Sequence, residues 1–393
     1  MVAMPAMSVS VIRQAKDNLK KKQNLEQTAK NLMAEAAKPE TKRKERIECL
    51  QLAAECSQRL YEAENLRLYL KQKYDTTKFF SSILDMFIRL EMADSIGAQP
   101  DEKGRVKPVN RRRNHDILKP FRANLLNGGR WHFRKAQMAQ AYPFLDTYVA
   151  TATHPLFAAD SLMKTDTLIR PTAYLAAVAA HTSANHDGVI RHAAMAKDAG
   201  MQSYIIEEYL AKAWLAKGDT ARWLDTLHEG VRLYPSHPYF FTNIIDYNVS
   251  NHRYDESLAL ADSMITIADS VALYWYAESI VYLKQGKDRE VIDACDSCLV
   301  RDDKFVDAYY NKGIASLNLA VIYAEQASSD INDPQYRRDH EIIRSLYLLA
   351  KQPMEKVREL APDDKARWAA PLYRIYLNLN MGKEFDEIDQ ILK

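Results

Sequence analysis

Apolar positions in the second half of the chain recur with a fixed period of about 34 residues, a length typical of stacked repeat units. Counting from Trp275, Phe241 lies one period earlier and Tyr309 one period later. Around each of these aromatics, apolar residues follow the three- and four-residue spacing of a single helix face, and a second such stretch comes after a short turn. We predict that each period is a pair of antiparallel helices. Neither helix covers its outer face alone, so successive pairs must stack.

Within each period, turn-forming and small residues hold fixed places. The predicted turn between the two helices falls at Gly218, His252 and Gly286. A small residue recurs on the first helix, at Ala211, Ser279 and Gly313, although Ile245 breaks the series. The recurring positions on the second helix are Leu227, Ala261 and Cys295. Small side chains let two helix backbones approach closely, and glycine accepts the left-handed conformation that ends a helix, so the two helices of a pair should cross at short range.

Three stretches of this region resemble the tetratricopeptide repeat. They are residues 207–219 (EEYLAKAWLAKGD), 275–286 (WYAESIVYLKQG) and 308–313 (AYYNKG). The likeness is strongest from about residue 170 to 313. It departs from the family at Glu278 and Lys312, where the family prefers leucine, and at His252, where it prefers glycine.

The resemblance implies an all-α, right-handed superhelical solenoid of antiparallel helix pairs, with degenerate repeats at both ends. It also implies a concave surface, formed by the first helices, on which ligands bind. Residues 74–80 and 122–129 are similar to segments of exported tetratricopeptide proteins of Gram-negative bacteria. We therefore expect relatives of that kind.

Outside the strong repeats the pattern is weaker and predicts three regions. Residues 1–97 are expected to form N-terminal helical hairpins, and residues 98–114 a basic loop or linker. Residues 115–393 are expected to form the repeat array, with an insertion around residues 326–353. Inside the array, Asn127 to Gly129 is predicted to separate two helices, and Pro353 to kink or interrupt a long helix.

Helix phase, carried through the strong repeats, places ten side chains on the predicted concave surface. They are Glu208, Tyr209, Lys212, Tyr239, Asn243, Asp246, Tyr276, Ile280, Tyr310 and Asn311. Tyrosine rings supply contact area at low entropy cost and amides pair with peptide groups, so we predict a non-catalytic scaffold that binds a protein or peptide segment. Packing between repeats is the alternative role for these tyrosines. Some family members bind the C-terminal carboxylate of a partner with a set of Lys, Asn and Arg residues. Only Asn243 matches one of those positions here, so we expect no such carboxylate clamp.

A basic block supports a different function. From Lys103 to Lys135 the chain has eleven Lys and Arg and one acid, Asp116, although its net charge is only +2. Such a block can bind nucleic acid or another charged polymer, and the candidate residues are Arg111, Arg112, Arg113, Lys119 and Arg122. Pairing with acidic neighbours is the other explanation. Aromatic residues for base stacking are sparse there, and nucleic acid is not the expected partner.

Enzymatic chemistry has no support in the sequence. Eleven glycines leave no glycine-rich phosphate loop, and neither H-E-x-x-H nor G-x-S-x-G occurs. Cys295 and Cys298 form a C-x-x-C inside a predicted second helix, where buried packing explains them better than redox or metal chemistry. We expect no cofactor, no metal and no enzyme. Glycine and proline are too few for an all-β fold, and no apolar run is long enough for a membrane span.

The first eight residues give an indication of the cellular compartment of the protein. Ala3 and Ala6 precede a polar helix start, a pattern that resembles the end of a signal peptide without its apolar core. We expect a periplasmic or exported protein if this is a truncated signal, and a cytoplasmic one otherwise. The identity of the partner and the oligomeric state stay open.

Overall fold

The computed structural model describes residues 5–100, 104–106, 108 and 110–393, with the side chains from residue 9 onward. Within these residues it contains twenty α-helices, two short 3₁₀ helices and no strand, which confirms the all-α prediction. The chain divides into two compact units, one ending at Thr226 and the other running from Leu227 to Lys393. No helix in the described residues has both the length and the apolar character to cross a membrane.

Unit 1 is a series of helices, most of which pack on a neighbour in the sequence. Its helices are α1 (Pro5–Lys21), α2 (Leu25–Ala37), α3 (Arg43–Tyr69), α4 (Thr76–Gly97), α5 (Arg111–Leu118), α6 (Arg122–Arg134), α7 (Met138–Ala150), α8 (Leu162–Thr165), α9 (Ile169–Thr182), α10 (His186–Lys197) and α11 (Ser203–Ala216), and α12 (Thr220–Leu233) begins in it. The 3₁₀ helices are Lys119–Phe121 and Pro155–Asp160. Buried Phe87, Leu145 and Phe157 belong to one apolar core that joins α4, α7 and the second 3₁₀ helix.

The predicted helix break at Asn127 to Gly129 is wrong. Gly128 and Gly129 lie inside α6, which continues to Arg134. A Cβ on Gly129 would come within 2.6 Å of Leu145 Cδ2 on α7, so the glycine permits a close helix contact. The turn between the two helices lies further on, where Ala136 has φ 56°.

Unit 2 continues with the periodic helix pairs. Its helices after the end of α12 are α13 (Pro238–Ser250), α14 (Tyr254–Ile267), α15 (Ala272–Gln285), α16 (Asp288–Arg301), α17 (Val306–Gln326), α18 (Pro334–Leu360), α19 (Lys365–Asn378) and α20 (Gly382–Leu392). The first helices α13, α15 and α17 begin one full period apart, as do the second helices α12, α14 and α16. This confirms the predicted period of helix pairs, whereas the handedness of a superhelix stays a prediction.

The turn between first and second helix repeats its backbone conformation as well as its position. Gly218, His252 and Gly286 have φ angles of 73°, 58° and 69°. One period earlier, Ala184 has φ 56°. Only two of these four residues are glycine, so the left-handed conformation is imposed by how the helices pack, even on side chains that disfavour it.

The recurring positions of the first and second helices are buried. Ala211, Ser279, Leu227, Ala261 and Cys295 are all fully buried. Gly313 is buried as well, and a Cβ there would come within 2.6 Å of Met354 Cε on α18. These positions therefore set the short distance between packed helices, as predicted.

The last repeats depart from the regular length. α17 extends to Gln326, and residues 327–333 form the loop before α18. Asp333 caps α18, since its carboxylate accepts a hydrogen bond from Gln335 N at 2.8 Å. α18 is continuous through Pro353, so the proline does not interrupt it. The regional boundaries at residues 97 and 114 stay predictions, and α5 begins at Arg111, inside the predicted linker.

Candidate functional site

The first helices of unit 2 lie next to one another. α13 contacts α15, α15 contacts α17, and α17 contacts α19, in addition to the contacts of each with its own second helix. Side chains on corresponding turns of these helices therefore lie on one continuous surface. We call this surface, formed by α13, α15, α17 and α19, the first-helix face.

On α13 the structure places three of the predicted residues. Tyr239 is half-buried, and its ring lies 5.5 Å from that of Phe240. Asn243 donates from Nδ2 to the carbonyl oxygen of Tyr239 at 2.7 Å. One hydrogen bond of its amide is therefore made within its own helix. Asp246, one turn further along, is exposed. This end of the face presents an aromatic ring and a carboxylate.

On α15 the predicted residues are Tyr276 and Ile280, both half-buried. The ring of Tyr276 lies 4.8 Å from the ring of Phe305, which immediately precedes α17. Burial raises the pKa of Tyr276 to about 12. Tyr276 therefore contributes both to packing between repeats and to the first-helix face.

On α17 the two predicted residues have different environments. Tyr310 is half-buried under the guanidinium of Arg367 from α19, 4.5 Å above its ring, and Arg367 also pairs with Asp307 at 2.7 Å. Asn311 is only 6% exposed and donates to Ser279 Oγ at 3.1 Å. We expected this side chain on the concave surface. Its amide instead lies between α15 and α17 and is hydrogen-bonded to Ser279.

The remaining predicted groove residues are on α11, in unit 1. The ring of Tyr209 stacks on that of His181 from α9, with centroids 3.7 Å apart. Glu208 and Lys212 form an ion pair one helical turn apart. The side chains that we predicted to form one surface thus belong to two compact units.

Three of the five basic candidates are held by acidic side chains. Arg111 makes a bidentate pair with buried Asp94, with Nη2 2.7 Å from Oδ2. Lys119 pairs with Asp160 at 2.6 Å. Arg122 pairs with Asp166 and donates to Thr151 Oγ1 at 2.7 Å.

The two remaining basic candidates are exposed, and two further lysines of the block lie outside the described residues. Arg112 and Arg113 are exposed on α5. Lys103 and Lys107 lie outside the described residues. At least three of the block's eleven basic residues are therefore paired with acids within unit 1, which is the second explanation that the sequence left open.

The four cysteines are free thiols in buried positions. Burial raises the pKa of Cys295 and Cys298 to about 12 and that of Cys49 and Cys56 to about 11. At neutral pH all four are thiols, which are poor nucleophiles and poor metal ligands. Among the residues described, no group of three or more His, Cys, Asp or Glu is arranged to hold a metal ion.

Two residues that depart from the family pattern are paired in the structure. Glu278 is buried, and burial together with the neighbouring Asp262 carboxylate raises the pKa of Glu278. Lys312 forms an ion pair with Asp296 on α16. Each charge at a family leucine position thus has a polar neighbour on the preceding second helix.

Sequence reasoning missed two contacts between an arginine and an aromatic ring on a first helix. Arg367 covers Tyr310, and Arg301 lies 4.4 Å above the ring of Trp275. The arginines are far along the chain from their rings. A separation of that kind has no periodic signal, so only the tertiary packing reveals these contacts.

No family model matches the chain, and no curated protein matches it significantly. Among solved structures, it is similar to a tetratricopeptide repeat protein from Bacteroides fragilis, at 14% identity and a TM-score of 0.33, over 69% of this chain and 98% of that one. The C-terminal part of a repeat protein from Cytophaga hutchinsonii gives 12% identity and a TM-score of 0.37, over 66% and 97%. The TPR2AB domain of yeast Sti1, solved in a complex with pHSP90, gives 13% and 0.26, over 67% and 99%.

These similarities are too distant to carry an argument about function. The repetition of helix pairs is evident in the chain itself. Its first helices begin one period apart, its small residues are buried at the helix crossings, and its turns share one left-handed backbone conformation. From α12 to α17 the chain is built of helical hairpins that repeat with one fixed period.

Proposed function

We propose that the first-helix face of unit 2 binds an extended protein or peptide segment, and that the chain is a non-catalytic scaffold or adaptor. The observation that carries this proposal is the series Tyr239, Tyr276 and Tyr310, three half-buried tyrosines on three successive first helices. The helices contact each other in the same order. A peptide that crosses the helices would meet one ring on each.

The polar groups of the face suit such a guest. Asp246 is exposed on α13, and Arg367 on α19 keeps 28% of its side chain exposed while it covers Tyr310. Half-buried tyrosine rings lose little conformational entropy on binding and present both an apolar surface and a hydroxyl. Aromatic and arginine side chains are the usual energetic centres of such interfaces.

The test begins with peptides selected from a random phage-displayed library against the purified full chain. The affinity of an enriched synthetic peptide is then measured by fluorescence anisotropy. We expect Tyr310→Ala to weaken binding by about tenfold or more, because a buried aromatic anchor is lost. Tyr254→Ala, on second helix α14 of the same unit, is the matched control and should leave the affinity unchanged. Equal losses in both variants, or no enrichment, would contradict the proposal.

Ionic strength separates this function from anion binding by the basic block. If binding neutralised many phosphates, affinity would fall by about 10³-fold or more between about 50 and 200 mM salt. A peptide held by tyrosine rings should lose far less. The pairing of Arg111, Lys119 and Arg122 with aspartates favours the peptide.

Export is a separate proposal, and it depends on the N-terminal resemblance and on the likeness of residues 74–80 and 122–129 to segments of exported proteins. Met1 to Met4 lie outside the described residues. Fractionation of cells that express the chain from its own locus tests it. Recovery in the periplasmic fraction supports export, and recovery only in the cytoplasm contradicts it.

A further inference from the structure

The end of α3 and the turn that follows it carry a cluster of exposed apolar side chains. Leu66, Leu68, Tyr69 and Leu70 are 57%, 42%, 82% and 52% exposed. No other five consecutive residues in the described part of the chain have more than two exposed large apolar side chains. Single exposed apolar residues are normal on a protein surface, whereas a cluster indicates an interaction site. We call residues 65–75 the α3–α4 tip.

The backbone of the α3–α4 tip is held in place by a buried acid. Glu64 is the last buried residue of α3, and its side chain is only 3% exposed. Its Oε2 accepts a hydrogen bond from Asp75 N at 2.9 Å, and its Oε1 accepts one from Arg67 Nη1, also at 2.9 Å. Asp75 in turn caps α4, because its Oδ1 accepts from Lys78 N at 3.0 Å. The apolar side chains therefore project from a turn that is fixed at both ends.

The α3–α4 tip is basic as well as apolar. From Asn65 to Tyr74 the chain contains three cations, Arg67, Lys71 and Lys73, and no acid. Lys71 and Lys73 are exposed, and neither pairs with an acid among the described residues. The positive charge of the tip is thus available to a partner.

Two neighbouring segments add cations to the same end of unit 1. Lys78, in the first turn of α4, pairs with Glu26 in the first turn of α2, so the turn between α1 and α2 lies near the tip. That turn and the end of α1 contain three exposed lysines, at positions 20, 21 and 22. Near the end of α6, Trp131 and Lys135 line an open depression of about 540 Å³ together with Arg67 and Lys73. The Nζ atom of Lys135 lies 3.8 Å above the Trp131 ring.

Exposed leucines beside unpaired cations are the combination that binds proteins to the surface of an anionic bilayer. Apolar side chains enter the boundary between headgroups and acyl chains, and Lys and Arg are attracted to the negative lipids. Tyrosine and tryptophan also favour this boundary, since each has an apolar ring and a polar group. A nucleic acid would use the cations and leave the leucines in water.

We propose that the α3–α4 tip docks on the surface of an anionic phospholipid bilayer. Leu66, Leu68, Tyr69 and Leu70 enter the headgroup region, and the surrounding cations contact lipid phosphates. Arg67, Lys73 and Lys135 line one depression, where they can contact the same headgroup. This surface belongs to unit 1 and is separate from the first-helix face, so the proposal goes beyond the binding of a peptide.

Flotation of the full chain with lipid vesicles tests the proposal. The probes are vesicles of equal parts phosphatidylglycerol and phosphatidylcholine, and vesicles of phosphatidylcholine alone. We expect the anionic vesicles to bind at least about tenfold more tightly, because each cation near a negative surface adds to the attraction. Raising the salt from about 0.1 to about 0.5 M should weaken this binding. Failure to bind either vesicle, or equal binding of both, overturns the proposal.

One pair of variants tests the apolar contribution. Tyr69→Ser combined with Leu70→Ser should weaken binding to anionic vesicles by about tenfold or more, since two apolar side chains no longer leave water. Ile267→Ser combined with Val300→Ser is the matched control, because these side chains are exposed at the ends of α14 and α16 in unit 2. The control should bind like the wild type. Equal losses in the two double variants overturn the assignment to the tip.

A second pair tests the charge. Lys71→Glu combined with Lys73→Glu should abolish binding to anionic vesicles. Arg112→Glu combined with Arg113→Glu makes the same change of charge on α5 and should reduce binding by less than about threefold. The neighbouring Arg111 pairs with Asp94, near the end of α4 opposite to the tip and about 30 Å from it along the helix. Equal losses would show that net charge, and not the tip, attracts the vesicle.

A second copy of the chain is the other occupant that the experiment must detect. Sedimentation velocity at several protein concentrations shows whether the chain dimerises. We expect the wild type and Tyr69→Ser/Leu70→Ser to have the same oligomeric state. A dimer that dissociates only in this double variant would show that the apolar cluster binds a second copy, and would overturn the proposal.

Discussion

Asn311 donates a hydrogen bond to Ser279 across the contact between two first helices, with 3.1 Å between Nδ2 and Oγ. Ser279 in turn donates to the carbonyl oxygen of Tyr276 at 2.7 Å. Both partners of the first bond are buried. The pair therefore connects α17 to α15 and fixes how one repeat follows the next.

The first prediction concerns this pair. Asn311→Ala should lower the free energy of unfolding by about 1–3 kcal/mol, because a buried hydrogen bond is lost and a small space is left. Asn243→Ala is the control, since that amide is half-buried and bonds to its own helix. It should cost less than about 0.5 kcal/mol. Urea unfolding followed by circular dichroism measures both, and equal costs would show that the contact between α15 and α17 does not depend on Asn311.

The left-handed turns provide a second prediction. Ala184 has φ 56° at a position where Gly218, one period later, has φ 73°. Ala184→Gly should raise the free energy of unfolding by about 0.5–1 kcal/mol, since the left-handed conformation costs an L-residue more than glycine loses in entropy. Ala179→Gly, inside α9, should lower it by about 1 kcal/mol. Gly218→Val should also destabilise, because a β-branched side chain resists positive φ. Melting curves that rank these variants differently would refute the interpretation.

Gly230 permits the third prediction. A Cβ at this position on α12 would overlap Cδ1 of Phe240 on α13, a ring that is fully buried. Gly230→Ala should therefore destabilise the chain by about 1–3 kcal/mol through overpacking. Gly382→Ala, at the start of α20, is the matched control, because a Cβ there would have no neighbouring atom within 4 Å. Thermal unfolding of the two variants decides whether close contact or loss of flexibility matters at Gly230.

The fourth prediction is a pH dependence that arises from Glu91 on α4. Burial, with a smaller effect of the Asp146 carboxylate, raises the pKa of Glu91 to about 8. Its Oε1 atom is buried and has no hydrogen-bond partner among the described residues. In the folded chain Glu91 therefore keeps its proton at neutral pH, whereas the unfolded chain releases it near pH 4.5.

The sign follows from proton binding. Between about pH 4.5 and 8 the folded state holds more protons than the unfolded state, so stability falls as pH rises through this window. Glu91 alone contributes at most about 1.4 kcal/mol per pH unit. Glu91→Gln should remove this dependence of the free energy of unfolding on pH. Glu40→Gln, at an exposed loop position, should leave the dependence unchanged. Urea unfolding at several pH values measures the slope, and identical profiles for wild type and Glu91→Gln would show that Glu91 is solvated.

The fifth prediction distinguishes basic residues that stabilise the fold from basic residues that are exposed and free to bind an anion. Arg122 and Asp166 form an ion pair in which only 12% and 14% of the side chains are exposed. Arg122→Ala should lower the free energy of unfolding by about 1–3 kcal/mol, because the largely buried Asp166 carboxylate loses its cation and keeps only its hydrogen bonds from the Tyr148 hydroxyl and Leu168 N. Exposed Arg112→Ala should change stability by less than about 0.5 kcal/mol. Denaturation midpoints test this, and a small effect of Arg122→Ala would return that residue to the candidates for anion binding.

Much of the fold could be predicted because it is periodic. A helix pair that buries one stripe repeats the same pattern in every copy, so Trp275 and its counterparts locate the first helices and Gly286 its turn. The prediction failed at Gly129, since a glycine that ends a helix and a glycine that permits close helix packing have the same local sequence. The contact with Leu145 that distinguishes them involves another helix.

The candidate site was predicted less completely. Helix phase located Tyr239 and Tyr310 on first helices, where they are half-buried. The same phase also selected Asn311, whose burial depends on Ser279 in the preceding repeat. Helix phase gives the direction in which a side chain leaves its helix. It does not show which residues of a neighbouring helix contact that side chain.

The sequence by itself determined the helical class, the period of the repeat and the residues at the helix crossings, because these follow from local spacing that every copy repeats. The tertiary structure alone decided which charges are paired and which polar side chains are buried at the contacts between helices. Those features depend on side chains far apart in the chain that meet once, at a single place, and an arrangement that occurs once leaves no periodic trace in the sequence.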